Sequence, residues 1–296
     1  MDRHENKRDM NGSNREPDRL VAHLPDCLKP RHRDDLVRLG SKHDGGYVVT
    51  ESIIRHTDFV VGLGVGTNWK FEEDFYRLKK CPVHCYDHTI SLGLFTMGSV
   101  RYTLDLLRPS RISNIRSFYD PVNLLPLKYS AFFRGKIRHF RERIGGGSES
   151  ETDFKKIFSR IPDGDRVFIK IDIEGAEHRA LSGLGDFQKR ITGLVIEFHH
   201  MIFLHDSVLK IISGIKEFFD IVHVHVNNHK GVDEGGMPDV IEVTFENKNL
   251  RRGDDAESGR RYPVEGLDSP NYVVYADFRL VFEPEPANNR IRISSS

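Results

Sequence analysis

The chain has 296 residues, with 44 Lys and Arg against 44 Asp and Glu and a pI near 7.3. That length supports one large domain or two small ones, and the balanced charge argues against a nucleic-acid binder that works by bulk charge. No apolar run approaches the roughly 18 residues that would span a bilayer, and the charged start of the chain has no secretory-signal pattern, so a cytoplasmic location without membrane insertion is expected. Three cysteines, Cys27, Cys81 and Cys85, fit a reducing compartment. Cys81 and Cys85 lack the second pair a zinc site would need and read as small buried hydrophobes.

In chain order, residues 1–20 are polar and charged and are expected to form a disordered tail. A single domain is expected at 21–283, followed by a flexible tail at 284–296. Phe59 to Val61 is a short apolar strand ended by glycines, and Trp69 to Lys80 reads as a helix. Val83 to Tyr86 is a second strand. An insertion at about 88–135 has mixed helical signals. Lys136 to Phe140 and Arg166 to Ile171 are further strands, and Glu174 to Leu184 looks helical. Thr192 to Phe198 is an apolar, β-branched strand. Val208, Ile211, Ile212, Ile215 and Phe219 recur at helical spacing. Ile221 to Val226 and Val240 to Phe245 are closely spaced strands, and the charged stretch 251–263 reads as a surface loop. The pattern predicts an α/β fold: a mostly parallel sheet with a C-terminal antiparallel hairpin. Ligands in such sheets sit beyond the C-terminal strand ends.

Five groups of residues stand at those ends. Gly62, Gly64 and Gly66 lie between a strand and a helix, where backbone can approach a ligand closely. The dinucleotide pattern G-x-G-x-x-G fails at its third glycine, because Thr67 or Trp69 stands there. Asp87 ends the next strand and can accept the ribose hydroxyls of a bound nucleoside. Asp172 emerges from Phe168-Ile-Lys170-Ile and could orient a hydroxyl, bind a metal or contact a cofactor. Glu174 and Glu177 read as favouring a helix N-terminus. Strand alternation puts Glu197 and His199 on one side, and histidine suits a general base near neutral pH. His223, His225 and Asn227 share a face of a later strand. His225, Asn227 and Asn228, nearest its tip, are candidates for binding a polar substrate. His200, His205 and His229 are assigned to the surface, and no histidine spacing matches a familiar metal cluster.

Together these segments resemble the FkbM-like branch of methyltransferases that use S-adenosylmethionine (SAM). The carrying strings are Arg38-Leu-Gly40-Ser-Lys-His-Asp44-Gly45-Gly46-Tyr47, the glycine loop running to Phe71-Glu72, Tyr86-Asp87 and Lys170-Ile-Asp172-Ile-Glu174-Gly175-Ala-Glu177. Glu197-Phe-His199, His225-Val-Asn227-Asn228 and Pro238-Asp-Val-Ile-Glu242-Val-Thr244 continue the match, which runs from about Leu36 to Phe282. The resemblance implies a class I methyltransferase (Rossmann-like) fold, with a seven-stranded sheet and helices on both faces. It places Gly62, Gly64 and Gly66 at the methionine part of SAM, Asp87 at its ribose, and Asp44 and Glu72 near the cofactor. It also implies methylation of a hydroxyl, commonly on a sugar, glycan or polysaccharide precursor. Two departures stand out: the usual acidic residue ahead of the glycine pair is Gly62, and the usual last glycine is Asn68.

On this reading His199 is the base, with Glu197 beside it, and Asp172, His225, Asn227 and Asn228 orient the acceptor. In a variant, Asp172 and Glu197 or His199 hold Mg²⁺ or Mn²⁺, which lowers the acceptor pKa. Two other readings remain: an NAD-dependent sugar oxidoreductase or epimerase, and a catalytically inactive SAM-binding module. Nucleic-acid base methylation is disfavoured by the neutral charge and by the lack of an Asn/Asp-Pro-Pro-Tyr/Phe motif.

Overall fold

The computed structural model describes residues 20–106, 121–145, 151–250 and 256–284. Of the two expected tails, residues 1–19 and 285–296 lie outside the described residues, as do the middle of the 88–135 insertion and part of the 251–263 loop. Seven strands form the central sheet: β4 (Phe59–Leu63), β5 (Val83–Tyr86), β6 (Ile137–Phe140), β7 (Val167–Ile171), β8 (Ile191–Phe198), β9 (Phe219–Val226) and β10 (Ile241–Asn247). Their order is β6-β5-β4-β7-β8-β10-β9. β4 is parallel to β5 and β7, and β8 is parallel to β7. β10 runs antiparallel to both β8 and β9. β4, β5, β7, β8, β9 and β10 are buried along their whole lengths, as strands covered on both faces must be.

One face packs against α1 (Glu51–His56), α2 (Lys70–Lys79) and a hairpin of β2 (Leu36–Gly40) and β3 (Gly46–Thr50), through Val49, Ile53, Phe71, Phe75 and Phe168. The other packs against α5 (Phe154–Phe158) and α7 (Met201–Ile215), through Phe154, Ile157, Val208, Ile212 and Ile215. Within the insertion, α3 (Leu92–Leu106) and α4 (Pro121–Phe132) lie against each other. Strand β1 (Val21–Pro25) pairs in parallel with the final strand β11 (Arg279–Glu283), closing the two ends of the described chain on each other.

Every expected strand of the central sheet is present, and the chain ends of the sheet run as expected. The helix expected over Glu174–Leu184 is not. Glu174 and Gly175 adopt φ of 53° and 95°, and the helical part shrinks to α6 (Glu177–Ala180). The left-handed pair turns the chain before a helix can start. α7 begins at Met201, seven residues ahead of Val208, the first residue of the expected helical pattern, and ends at Ile215, so Phe219 opens β9 instead. Among the described residues no helix is long and apolar enough to cross a membrane.

Candidate active site

From β4 the strand order proceeds to β5 and β6 on one side and to β7 and β8 on the other. Beyond the C-terminal ends of β4, β5 and β7 lies a cleft of about 600 Å³, where such folds bind ligands. Gly64, Asp87, Asp172 and His199 are each the first residue past a strand end. The order of strands therefore converts four distant sequence positions into neighbours at one mouth.

The glycine loop builds one wall. Gly64 has φ of 72°, and a Cβ there would lie 1.8 Å from the carbonyl oxygen of Asp172. The loops after β4 and β7 thus pass in backbone contact, and only glycine fits. The Gly66 amide donates to Asp87 Oδ2 at 2.8 Å. Asp87 Oδ1 accepts from the Thr89 amide at 2.7 Å and from its hydroxyl at 2.6 Å. Burial works against the Asp87 charge, but the bonds from Thr89 and Gly66 prevail and hold its carboxyl below the ordinary value. One carboxylate therefore ties two loops together and still faces the cleft. Behind it, His139 Nε2 donates to the Asp87 carbonyl at 2.9 Å, so its Nδ1 accepts from the Tyr129 hydroxyl at 2.7 Å.

Gly62 and Glu72 depart from the expected cofactor contact, since neither lines the cleft. A Cβ on Gly62 would lie 2.6 Å from Glu72 Oε1. The bare glycine makes room for a carboxyl delivered from α2. Glu72 is fully buried, and neither of its oxygens has a hydrogen-bond partner among the described residues. Burial raises its pKa, with Lys170 the main counterweight. The acidic group missing from the strand thus returns from the helix, beneath the loop instead of within it.

The opposite wall is Lys170, Asp172 and Glu174; the expected site residues Glu197 and His199, with Tyr47 and Glu177, stand behind it and do not line the cleft. Lys170 is buried, and its Nζ donates to the Gly64 carbonyl at 3.2 Å and to Asp172 Oδ2 at 3.3 Å. Burial disfavours its charge, yet Asp172, Glu72 and Glu197 outweigh that cost and raise the pKa. The Tyr47 hydroxyl, brought over the sheet by β3, lies 3.1 Å from both Asp172 Oδ2 and Glu197 Oε2. Asn227 Nδ2 donates to Glu197 Oε1 at 3.0 Å. Burial first, then the charges of Asp172 and Glu242, pushes the Glu197 pKa well up. Asp44 lines the cleft, and its pKa is raised by burial and then by Asp172 and Glu242.

His199 is 8% exposed. Its Nδ1 lies 3.1 Å from Glu177 Oε1, which also accepts from the amides of Ile173 at 3.1 Å and Gly175 at 3.2 Å. Glu177 Oε1 is therefore an acceptor, and Nδ1 is the donor. Nε2 faces Glu174 Oε2 and Glu197 Oε1, each at 3.7 Å. Burial alone would lower the His199 pKa. Glu177, by hydrogen bond and charge, with Glu197 and Asp172, raises it to about 9. The ring as it stands is charged at neutral pH, so it can serve as the expected base only after losing that proton. Asp172, Glu174 and His199 each offer a ligand atom within 4.8 Å of the others.

His225 and Asn228 correct the expected substrate contacts. Glu242 pairs across β10 with Glu197 on one side and His225 on the other. His225 is held between Glu242 at 3.2 Å and Asp277 at 2.9 Å, away from the cleft. Asn228 Nδ2 donates to the carbonyls of Tyr272 and Tyr275, while its Oδ1 accepts from the Tyr272 amide. Both residues anchor the 271–277 loop. Asn227 serves Glu197 and does not line the cleft. Cys81 and Cys85 are buried, and burial pushes the Cys81 thiol up to about 11. Tyr47, Lys170, Glu174 and Glu177 are the site residues to which the sequence assigned no part in the chemistry. Lys170 carries a signal, as an ammonium inside a fully buried strand.

Residues 143–218 match the family model of the methyltransferase FkbM domain. That stretch holds β7, β8 and the whole cluster from Lys170 to His199. The chain matches no curated protein. Among solved structures it is similar to an rRNA methylase from Streptococcus thermophilus, at 11% identity over 67% of this chain and 92% of that one, with a TM-score of 0.37. It is similar to precorrin-6y C5,15-methyltransferase from Geobacter metallireducens, at 16% identity over 67% and 85%, with a TM-score of 0.34. M. capricolum TrmK, solved with S-adenosyl-homocysteine, matches at 8% identity over 70% of each chain, with a TM-score of 0.33. The sheet's own order, with β10 reversed between β8 and β9, is that of the class I methyltransferases. Residues 143–218 thus match the methyltransferase FkbM domain, and the described sheet has the class I methyltransferase fold.

Proposed function

We propose that this protein methylates a hydroxyl group on a sugar, glycan or polysaccharide precursor. The observation that carries the reading is Asp172. Its carboxylate lines the cofactor cleft and is joined through Tyr47 to the buried carboxylate of Glu197. A polar, hydroxyl-orienting wall therefore faces the place where the methyl donor binds. On this reading the backbone at 64–68 takes the methionine part of SAM, and Asp87 takes its ribose, with Asp44 at the rim. The excess of carboxylates repels a phosphate chain and suits a neutral polyol.

The acceptor oxygen donates a lone pair to the methyl carbon. The O–C bond forms as the S–C bond breaks, its electron pair stays on sulfur, and neutral S-adenosylhomocysteine leaves. The hydroxyl proton passes to a carboxylate of the cluster, Asp172 or Glu197, or to His199 once that ring has given up its own proton. Alignment supplies several kcal/mol of rate enhancement, and proton removal contributes about 10²–10⁴-fold. Glu177 fixes the ring so that Nε2 faces the cluster.

The test is a screen of sugar and glycan acceptors with SAM, read as S-adenosylhomocysteine release and product mass. A mass increase of one methyl on an acceptor hydroxyl is expected. Binding of NAD in place of SAM would overturn the reading.

A further inference from the structure

We infer that the cluster at the tips of β7 and β8 is a binding site for a hard divalent cation of the Mg²⁺ or Mn²⁺ class, held by Asp172, Glu174 and His199. One atom from each lies within 4.8 Å of the others, a spread that a single ion can draw together. Two carboxylates and one imidazole suit these cations. The His199 ring is 8% exposed, and among the described residues its Nε2 makes no hydrogen bond, with Glu174 Oε2 and Glu197 Oε1 each 3.7 Å away. Nδ1 meanwhile is held by Glu177, itself buried and fixed by two backbone amides. A carboxylate behind one ring nitrogen, with the other nitrogen turned toward further carboxylates, is the arrangement that orients metal-ligating histidines. Among the described residues Lys170 is the only ammonium or guanidinium bonded to this carboxylate group, and an ion bound at His199 Nε2 takes the place of the proton there, which leaves to solvent.

Its catalytic role rests on the methyltransferase reading above: the cation lowers the pKa of the acceptor hydroxyl, so the cluster works without a free imidazole base.

The experiment titrates the full chain with MnCl₂, without SAM, following free Mn²⁺ by electron paramagnetic resonance and competing with MgCl₂. SAM binding is measured in parallel by calorimetry. One equivalent of bound Mn²⁺ is expected, displaced by Mg²⁺. Asp172→Asn and His199→Ala should abolish it. Glu177→Gln should weaken it about 10–100-fold. Glu174→Gln should weaken it about tenfold, and because the Glu174 side chain is 88% exposed that variant keeps the fold, as a thermal melt will show. Absence of Mn²⁺ binding, or binding unchanged in Glu174→Gln and His199→Ala, overturns the cation site. SAM binding without Mn²⁺ binding removes the cation and leaves the methyltransferase. Mn²⁺ binding without SAM binding does the reverse.

Discussion

The two walls of the cleft are built in opposite ways. On the β4–β5 side, backbone does the work: Gly64 and Gly66 bring the chain close, and Asp87 fastens the loops with three hydrogen bonds. On the β7–β8 side, side chains do the work: Lys170 bonds Asp172 at the cleft, and behind them His199 pairs with Glu177 and Glu197. A wall of backbone can grip an invariant cofactor whatever the surrounding sequence. A wall of charged side chains moves protons, and its chemistry depends on each member. Substitutions on the first side should therefore change binding or folding, and those on the second should change turnover.

The largest expected effect belongs to the second wall. Asp172→Asn or His199→Ala should cut the rate of methyl transfer about 10²–10⁴-fold and leave SAM affinity within a few-fold. Initial rates and calorimetry on the same preparations check this. Equal losses of rate and affinity would erase the division between the walls.

Gly64 and Gly66 sharpen it within the first wall. A Cβ on Gly64 would strike the Asp172 carbonyl, whereas one on Gly66 meets open space in the cleft. Gly64→Ala should lower stability by about 1–3 kcal/mol or more, seen in denaturant unfolding. Gly66→Ala should fold with a loss of about 1 kcal/mol and show its main effect in SAM affinity.

Two predictions lie outside both walls. Asn228→Ala frees two carbonyls and an amide of the 271–277 loop. It should cost about 1–3 kcal/mol in stability without changing SAM binding. His84, on β5, packs edge-on against Phe59 and Phe140. Burial first, then Arg138 and Arg160, lowers its pKa from 6.5 to about 4. Above pH 6.5 the ring is neutral in folded and unfolded chains and contributes nothing. Between 6.5 and about 4 the unfolded chain takes up a proton that the folded one refuses, so stability falls as the pH is lowered, by at most about 3 kcal/mol. His84→Leu should flatten that part of the melting-temperature curve.

The same contrast explains what could be read from the sequence. The strands of the sheet announce themselves as apolar runs, and the glycine loop and Asp87 follow them directly, so the first wall was legible by position. Its exception is Gly62. A glycine pattern cannot show that the space it leaves is filled by Glu72, ten residues on and beneath the loop. In the second wall Asp172, Glu197 and His199 were legible as polar residues at strand ends, but their partners were not. Tyr47 reaches them from a hairpin far upstream, and Glu177 turns back because Glu174 and Gly175 break the helix their neighbours suggest. His225 and Asn227 share a face with the site, as strand period requires. Yet the antiparallel insertion of β10 and the return of the 271–277 loop give both of them protein partners. Period reveals a face, and only tertiary contact decides who occupies it.

The most direct test of two walls with two tasks is a calorimetric titration of SAM and S-adenosylhomocysteine into the unaltered chain, Asp87→Ala and His199→Ala. The account predicts micromolar binding to the unaltered chain, a loss of about 10–100-fold in Asp87→Ala, and nearly unchanged affinity in His199→Ala. Full affinity in Asp87→Ala, or its collapse in His199→Ala, would contradict it.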